Sequence, residues 1–141
     1  MHEPPPYILL IDDDEDDLEM LSSGLKEKGI KVKTFNSSSK ALVYLNLMSG
    51  VRELPSFIIM DYNMPKKNGQ QVLLMIKGNA DTKHIPVVMY STALSDLVRE
   101  QLSNAGALNC FNKPWNWREL NILVETFQQL TYSFFPNKNL A

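Results

Sequence analysis

The chain has 141 residues, 44% hydrophobic and 21% charged, which is the composition of one soluble globular domain long enough to bury a core. A formal net charge of −2 gives no attraction to nucleic acid, and one cysteine, Cys110, excludes an internal disulfide and suits a reducing cytoplasm. No apolar run approaches the roughly 20 residues of a bilayer crossing, and Met1-His2-Glu3-Pro4-Pro5-Pro6 lacks the order of a signal peptide, so a cytoplasmic location without membrane contact is expected.

Five apolar runs alternate with five stretches of helical spacing. The first run, residues 7–11, precedes Leu18, Leu21 and Leu25 at helical intervals, with Gly29 placed to end that helix. The second, 30–35, leads to Ser37, Ser38 and Ser39, which are helix caps for a segment carrying Leu42 and Leu45. The third, 57–60, precedes Val72, Leu73 and Ile76. The fourth, 87–90, precedes a helix capped by Ser95 or Asp96, with Val98 and Leu102 inward. The fifth, 108–111, is followed by the clearest stripe, Leu120, Leu123, Val124 and Phe127. Three runs are almost continuously apolar, as parallel strands covered on both faces require. Alternation of this kind predicts an α/β parallel sheet with helices on both sides, since each crossover is right-handed. The chain stops soon after the fifth helix, so no second, output domain is expected.

In such a sheet the chemistry lies beyond the carboxyl ends of the strands. Those ends carry Asp12-Asp13-Asp14-Glu15-Asp16-Asp17, then Asp61, then Ser91-Thr92, then Lys113-Pro114. Asp14 to Asp17 read as a solvated helix N-terminus, where acids complement the dipole. Asp12 and Asp13 stand at the strand end itself, where unneutralised like charges would repel. A hard divalent cation removes that conflict, and Mg²⁺ prefers such oxygens. The run lacks the glycine and alternating ligands of an EF-hand loop. Asp61, projecting from an apolar strand, is a candidate nucleophile, because carboxylates attack phosphoryl groups to form aspartyl phosphates. Alone, Ser91 reads as a strand-end cap and Lys113 as a surface lysine. Beside Asp61 they become a hydrogen-bond donor and a cation for phosphoryl oxygens. A cis bond at Lys113–Pro114 would aim the lysine inward, although cis is the minority isomer.

The motifs Ile8-Leu9-Leu10-Ile11-Asp12-Asp13, Met60-Asp61-Tyr62-Asn63-Met64-Pro65, Pro86-Val87-Val88-Met89-Tyr90-Ser91-Thr92 and Asn112-Lys113-Pro114 resemble, in that order, the receiver domain of two-component response regulators. The resemblance covers about residues 7–130, leaving 1–6 as an N-terminal extension and 131–141 as a tail. It implies a CheY-like, flavodoxin-like (βα)5 doubly wound sheet in the order 2-1-3-4-5. It also implies phosphorylation of Asp61 with Mg²⁺ held by Asp12, Asp13, Asp61 and the backbone carbonyl of Asn63. Asp12 would act largely through a coordinated water. Ser91, with Thr92 beside it, would be the switch hydroxyl, and Lys113 would pair with the phosphate. Pro65 and Gly69 match the loop after the acceptor, whereas Asn68 stands where Asp is common. The implied role is a phosphoacceptor signalling domain, not an enzyme acting on other substrates. Its donor would be a sensor histidine kinase or phosphotransfer protein, and its output an unnamed downstream protein. The fourth helix, fifth strand and fifth helix form the candidate homodimer face. One position departs from the pattern: Cys110 stands where a switch Tyr or Phe is common, and Phe111 beside it reads as core.

Competing functions fit less well. A phosphatase with Asp61 as nucleophile needs a second aspartate at the position of Asn63. An FMN protein needs a hydroxyl- and glycine-rich phosphate loop where this chain has six acids. A receiver serving only as a binding module would have lost Asp61, Lys113 or the acidic pair. In the tail, Tyr132, Phe134 and Phe135 either extend the fifth helix or dock on a partner or second subunit.

Overall fold

The computed structural model describes residues 6–134. In chain order the elements are β1 Ile8–Ile11, α1 Glu15–Glu27, β2 Val32–Phe35, α2 Ser38–Val51, β3 Phe57–Asp61, α3 Gly69–Gly78, β4 Val87–Ser91, α4 Asp96–Asn104, β5 Asn109–Asn112 and α5 Trp117–Phe134. The strands form one parallel sheet in the order β2-β1-β3-β4-β5. The three apolar runs become β1, β3 and β4, every residue of which is buried. The edge strands β2 and β5 are only partly covered. The fifth strand starts one residue later than the apolar run suggests, at Asn109, and the Leu108 side chain is exposed although its N–H donates to Val87 O. Likewise Ile30, although buried, lies in the turn after Gly29, whose φ of 80° ends α1.

The two-residue period of the strands sorts the core into two layers. Leu9, Ile11, Ile58, Met60, Val87 and Met89 pack beneath α2, α3 and α4, against Leu45, Leu73, Ile76 and Leu102. Ile8, Leu10, Phe57, Ile59, Val88 and Tyr90 pack beneath α1 and α5, against Leu21, Leu25, Leu120, Val124 and Phe127. The helix starts follow local chemistry. Asp14 caps α1, Ser37 caps α2 and Ser95 caps α4, while Asn68 and Gln71 form a reciprocal capping box on α3. Asn68 therefore has a structural use of its own. Phe134 closes α5 against the Phe57 ring, with centroids 5.1 Å apart, so this part of the tail belongs to the core. Tyr132 is exposed, and Phe135 lies outside the described residues.

The turn from β3 into α3 leaves no room for a side chain at its end. Gly69 N donates to Tyr62 O at 2.8 Å, and a Cβ there would lie 2.7 Å from Tyr62 Cα and 2.8 Å from Asp61 O. Those contacts are backbone and cannot swing away. Gly69→Ala should therefore destabilise the fold by on the order of 1–3 kcal/mol, measured as a lower urea midpoint, with Asp61 displaced as a consequence. An unchanged midpoint would show that the turn yields more readily than this packing allows.

Candidate functional site

Three strand ends and the turn after β5 bring the site together. Asp12, the residue after β1, is wholly buried, and its backbone N–H donates to Phe35 O at 3.1 Å. Its Oδ1 accepts from Asp14 N at 3.0 Å. Asp61 ends β3 and is 2% exposed, with Oδ1 accepting from Asn63 N at 3.1 Å. Asp13 is exposed above them, and one carboxylate oxygen each from Asp12, Asp13 and Asp61 lies within 4.8 Å of the others. Three hard, anionic oxygen donors at that spacing fit a divalent cation.

Lys113 is the counter-charge. Its ammonium lies 3.0 Å from Asp12 Oδ2, 2.8 Å from Asp17 Oδ2 and 3.1 Å from Asp61 Oδ2. Lys113 N donates to Ser91 O at 3.0 Å, which carries the chain off β5 directly over the crevice. The Lys113–Pro114 bond is trans, because no described peptide bond is cis. That corrects the candidate cis isomer at Pro114. The backbone bond to Ser91 already aims the lysine inward, so the intrinsically preferred trans form suffices. Burial pulls the Lys113 pKa down, but the hydrogen bond to Asp17 and the charges of Asp12 and Asp61 outweigh it, and the net shift is upward.

The Ser91 side of the site is also assembled. Ser91 is 1% exposed and its Oγ accepts from Asn63 Nδ2 at 2.9 Å. Thr92 is exposed at the lip and, among the described residues, makes none of the side-chain hydrogen bonds that join the other groups. The loop beyond it is strained, with Ala93 at φ 53° in the left-handed region. Arg99 of α4 donates to Cys110 O at 3.0 Å and to Asn112 Oδ1 at 2.7 Å, tying that helix to β5. Cys110 is half-buried against the α2–α4 layer, and burial pushes its thiol pKa up, opposed by Arg99. Phe111 stacks edge-on with Phe127 at 5.2 Å, as a core residue should.

Two site residues escaped the sequence reading. Asp17, which its position marks as a solvated first-turn acid, instead holds Lys113. Its neighbours do behave as expected, since Asp14 Oδ1 accepts from Asp16 N and Asp17 N at 3.0 and 3.1 Å. Tyr90, which its run marks as an apolar strand residue, points its hydroxyl at Asp12 Oδ2 and donates to it. Burial and then the Asp12 charge raise the Tyr90 pKa well above its ordinary value, so the phenol stays protonated and a donor. The alternation of β4 carried a signal for Tyr90, because it places residue 90 on the same side of the sheet as Asp12 and Asp61.

Asp61 titrates unusually. Burial, and then the charge of Asp12, raise its pKa from 3.8 to about 6, against the lowering pull of Lys113 and the Asn63 N–H. An acid whose pKa is raised by folding stabilises the fold while protonated. That contribution is complete below the unfolded value of 3.8 and is lost as pH rises through about 6. Asp61→Asn cannot ionise. With divalent cations chelated, the native chain should lose on the order of 2–3 kcal/mol relative to this variant between about pH 4 and 7, read from urea midpoints at each pH. A difference that stays flat across that window would mean that the crevice accommodates the charge.

Comparison with known proteins agrees with this architecture. A family model described as the response regulator receiver domain matches residues 8–125. The transcriptional regulatory protein CpxR homolog of Haemophilus influenzae is 33% identical over 129 residues, covering 89% of this chain and 52% of that protein. The chain thus spans about half the length of that curated relative. The crystal structure of the phosphorylated cyanobacterial phytochrome response regulator RcpA superposes with a TM-score of 0.81 at 27% identity, covering 92% of this chain and 96% of the other. The Mn²⁺-bound form of response regulator Rcp1 does so at 0.77 and 28% identity, covering 89% and 93%. With a crevice of acids closed by one lysine at the carboxyl edge of this sheet, and a family match across nearly all of its core, the chain belongs to the response regulator receiver domain family.

Proposed function

We propose that Asp61 accepts a phosphoryl group from the phosphohistidine of a sensor kinase or phosphotransfer protein, with Mg²⁺ bound in the acidic crevice. The observation that carries this reading is the convergence of Asp12, Asp13 and Asp61 with the Lys113 ammonium on Asp61 Oδ2. Asp12, Asp13, Asp61 and the backbone carbonyl of Asn63 would hold the cation. When bound, it supplies positive charge that offsets the carboxylates and the incoming phosphoryl oxygens. The ionised Asp61 carboxylate attacks phosphorus. The bond from phosphorus to the donor histidine nitrogen breaks as the bond to Asp61 forms, and the nitrogen keeps the electron pair. Lys113 is already within hydrogen-bond distance of Asp61 and transfers its ion pair to a phosphoryl oxygen. Ser91 Oγ accepts from Asn63 Nδ2, so its hydroxyl hydrogen is left to donate to the phosphoryl group.

In this reading residues 7–130 are the receiver unit, and it catalyses only its own phosphorylation and dephosphorylation. Signalling follows from the new contacts of Ser91 and Lys113. With Cys110 at the usual aromatic position, the change passes through the strained loop at Ala93 into α4, which Arg99 couples to β5. A downstream protein or a second copy would read the face formed by α4, β5 and α5.

Acetyl phosphate with Mg²⁺ should add the mass of one phosphoryl group to the wild type and none to Asp61→Asn, as measured by intact-mass spectrometry. An equal yield in the variant would move the acceptor elsewhere. Lys113→Ala and Ser91→Ala should keep the fold and some phosphorylation while losing the response to it. That response is read by hydrogen exchange with and without beryllofluoride, and should be largest in residues 91–105. Cys110→Tyr should change its pattern. Protection altered only around Asp61, with Cys110→Tyr like wild type, would place the switch elsewhere.

A further inference from the structure

We propose that Tyr90 is a positioning residue for the cation site, its hydroxyl and ring setting the Asp12 carboxylate and the Lys113 ammonium in the arrangement that admits a divalent ion. This rests on the reading that the acidic crevice binds such an ion.

Asp12 is wholly buried, so every lone pair that it keeps from the cation needs a donor from the protein. Asp14 N supplies one to Oδ1, whereas Oδ2 faces both the Tyr90 hydroxyl and Lys113 Nζ. The Tyr90 ring lies beneath the same ammonium, with Nζ 5.1 Å from its centroid, a cation–π distance. Tyr90 therefore touches both partners of the Asp12–Lys113 pair. Its own placement is rigid, because it is 1% exposed and packs with Leu120, Val124 and Phe127 under α5.

Without the hydroxyl, Asp12 Oδ2 is left to Lys113 alone. The carboxylate then turns toward the lysine and the ion pair tightens. Both changes work against a cation that needs the same oxygens and is repelled by the same ammonium. Groups that orient metal ligands from behind typically change affinity by about 10- to 100-fold when removed. Asn63 and Asp13 offer no substitute, since neither is hydrogen-bonded to Asp12.

The test is calorimetric titration of Mg²⁺ alone, at fixed pH, into the wild type, Tyr90→Phe, Asp12→Asn and the double variant. Phenylalanine keeps the ring and removes only the hydroxyl. Mg²⁺ binding should weaken on the order of tenfold in Tyr90→Phe. In the Asp12→Asn background the same change should cost little more, because the two residues act through one contact. A hydroxyl with a merely structural role would lower the unfolding midpoint while leaving Mg²⁺ affinity unchanged, and that result overturns the proposal, as does tighter binding. Wild type that binds no Mg²⁺ overturns the parent reading and this one with it. Should Tyr90→Phe fail to fold, wild type labelled with 3-fluorotyrosine decides. Mg²⁺ should shift the ¹⁹F line of Tyr90, assigned by removing Tyr7, Tyr44, Tyr62 and Tyr132 singly, and an unmoved line overturns the proposal.

Discussion

The site turns on one ammonium serving three carboxylates that the sheet forces together. Asp12, Asp17 and Asp61 come from two strand ends and a helix, and each has an oxygen within about 3 Å of Lys113 Nζ. Asp13 adds a fourth acid without sharing that partner. A single positive charge cannot neutralise this set, so the crevice keeps an electrostatic deficit that the apolar layers beneath it enforce. Desolvation makes the deficit costly, and the upward shift of Asp61 is its direct expression. A domain selected for stability alone would not place acids there. The proposed function, in which the crevice would take up a cation beside Asp61, gives a reason for that placement.

The rest of the fold serves that placement. Parallel pairing sets Asp61 opposite Tyr90 and Ser91 opposite Asn112, so Asp61 and Ser91 stand one residue apart at the same edge of the sheet. The two-residue alternation then divides their consequences. Asp12, Asp61 and Tyr90 follow the side packed under α1 and α5, whereas Ser91 follows the side packed under α4. In the proposed function, cation binding and hydroxyl movement would therefore address different helix layers of the same small domain. Asn63 spans the two, since its backbone N–H holds Asp61 and its side chain holds Ser91.

Much of this is legible in the sequence. The apolar runs at β1, β3 and β4 were unmistakable because strands covered on both faces must be continuously apolar, and the helix caps at Ser37 and Ser95 are local chemistry. The acids, hydroxyl and lysine were visible as a set because strand ends in such sheets share one edge. Boundaries of the edge strands were less clear, since β2 and β5 are half-exposed and carry a weaker pattern.

By itself the sequence determined which elements form, which face of each is apolar, and which reactive groups stand at the strand ends, for these are matters of local periodicity and caps. Only the tertiary structure decided the pairings. Asp17 is separated from Lys113 by 96 residues and Tyr90 from Asp12 by 78, and no periodicity along the chain couples positions so far apart. Side-chain partners across a sheet are set by strand order, register and burial acting together, and that is why an acid read as solvated and a tyrosine read as core both proved to be parts of the site.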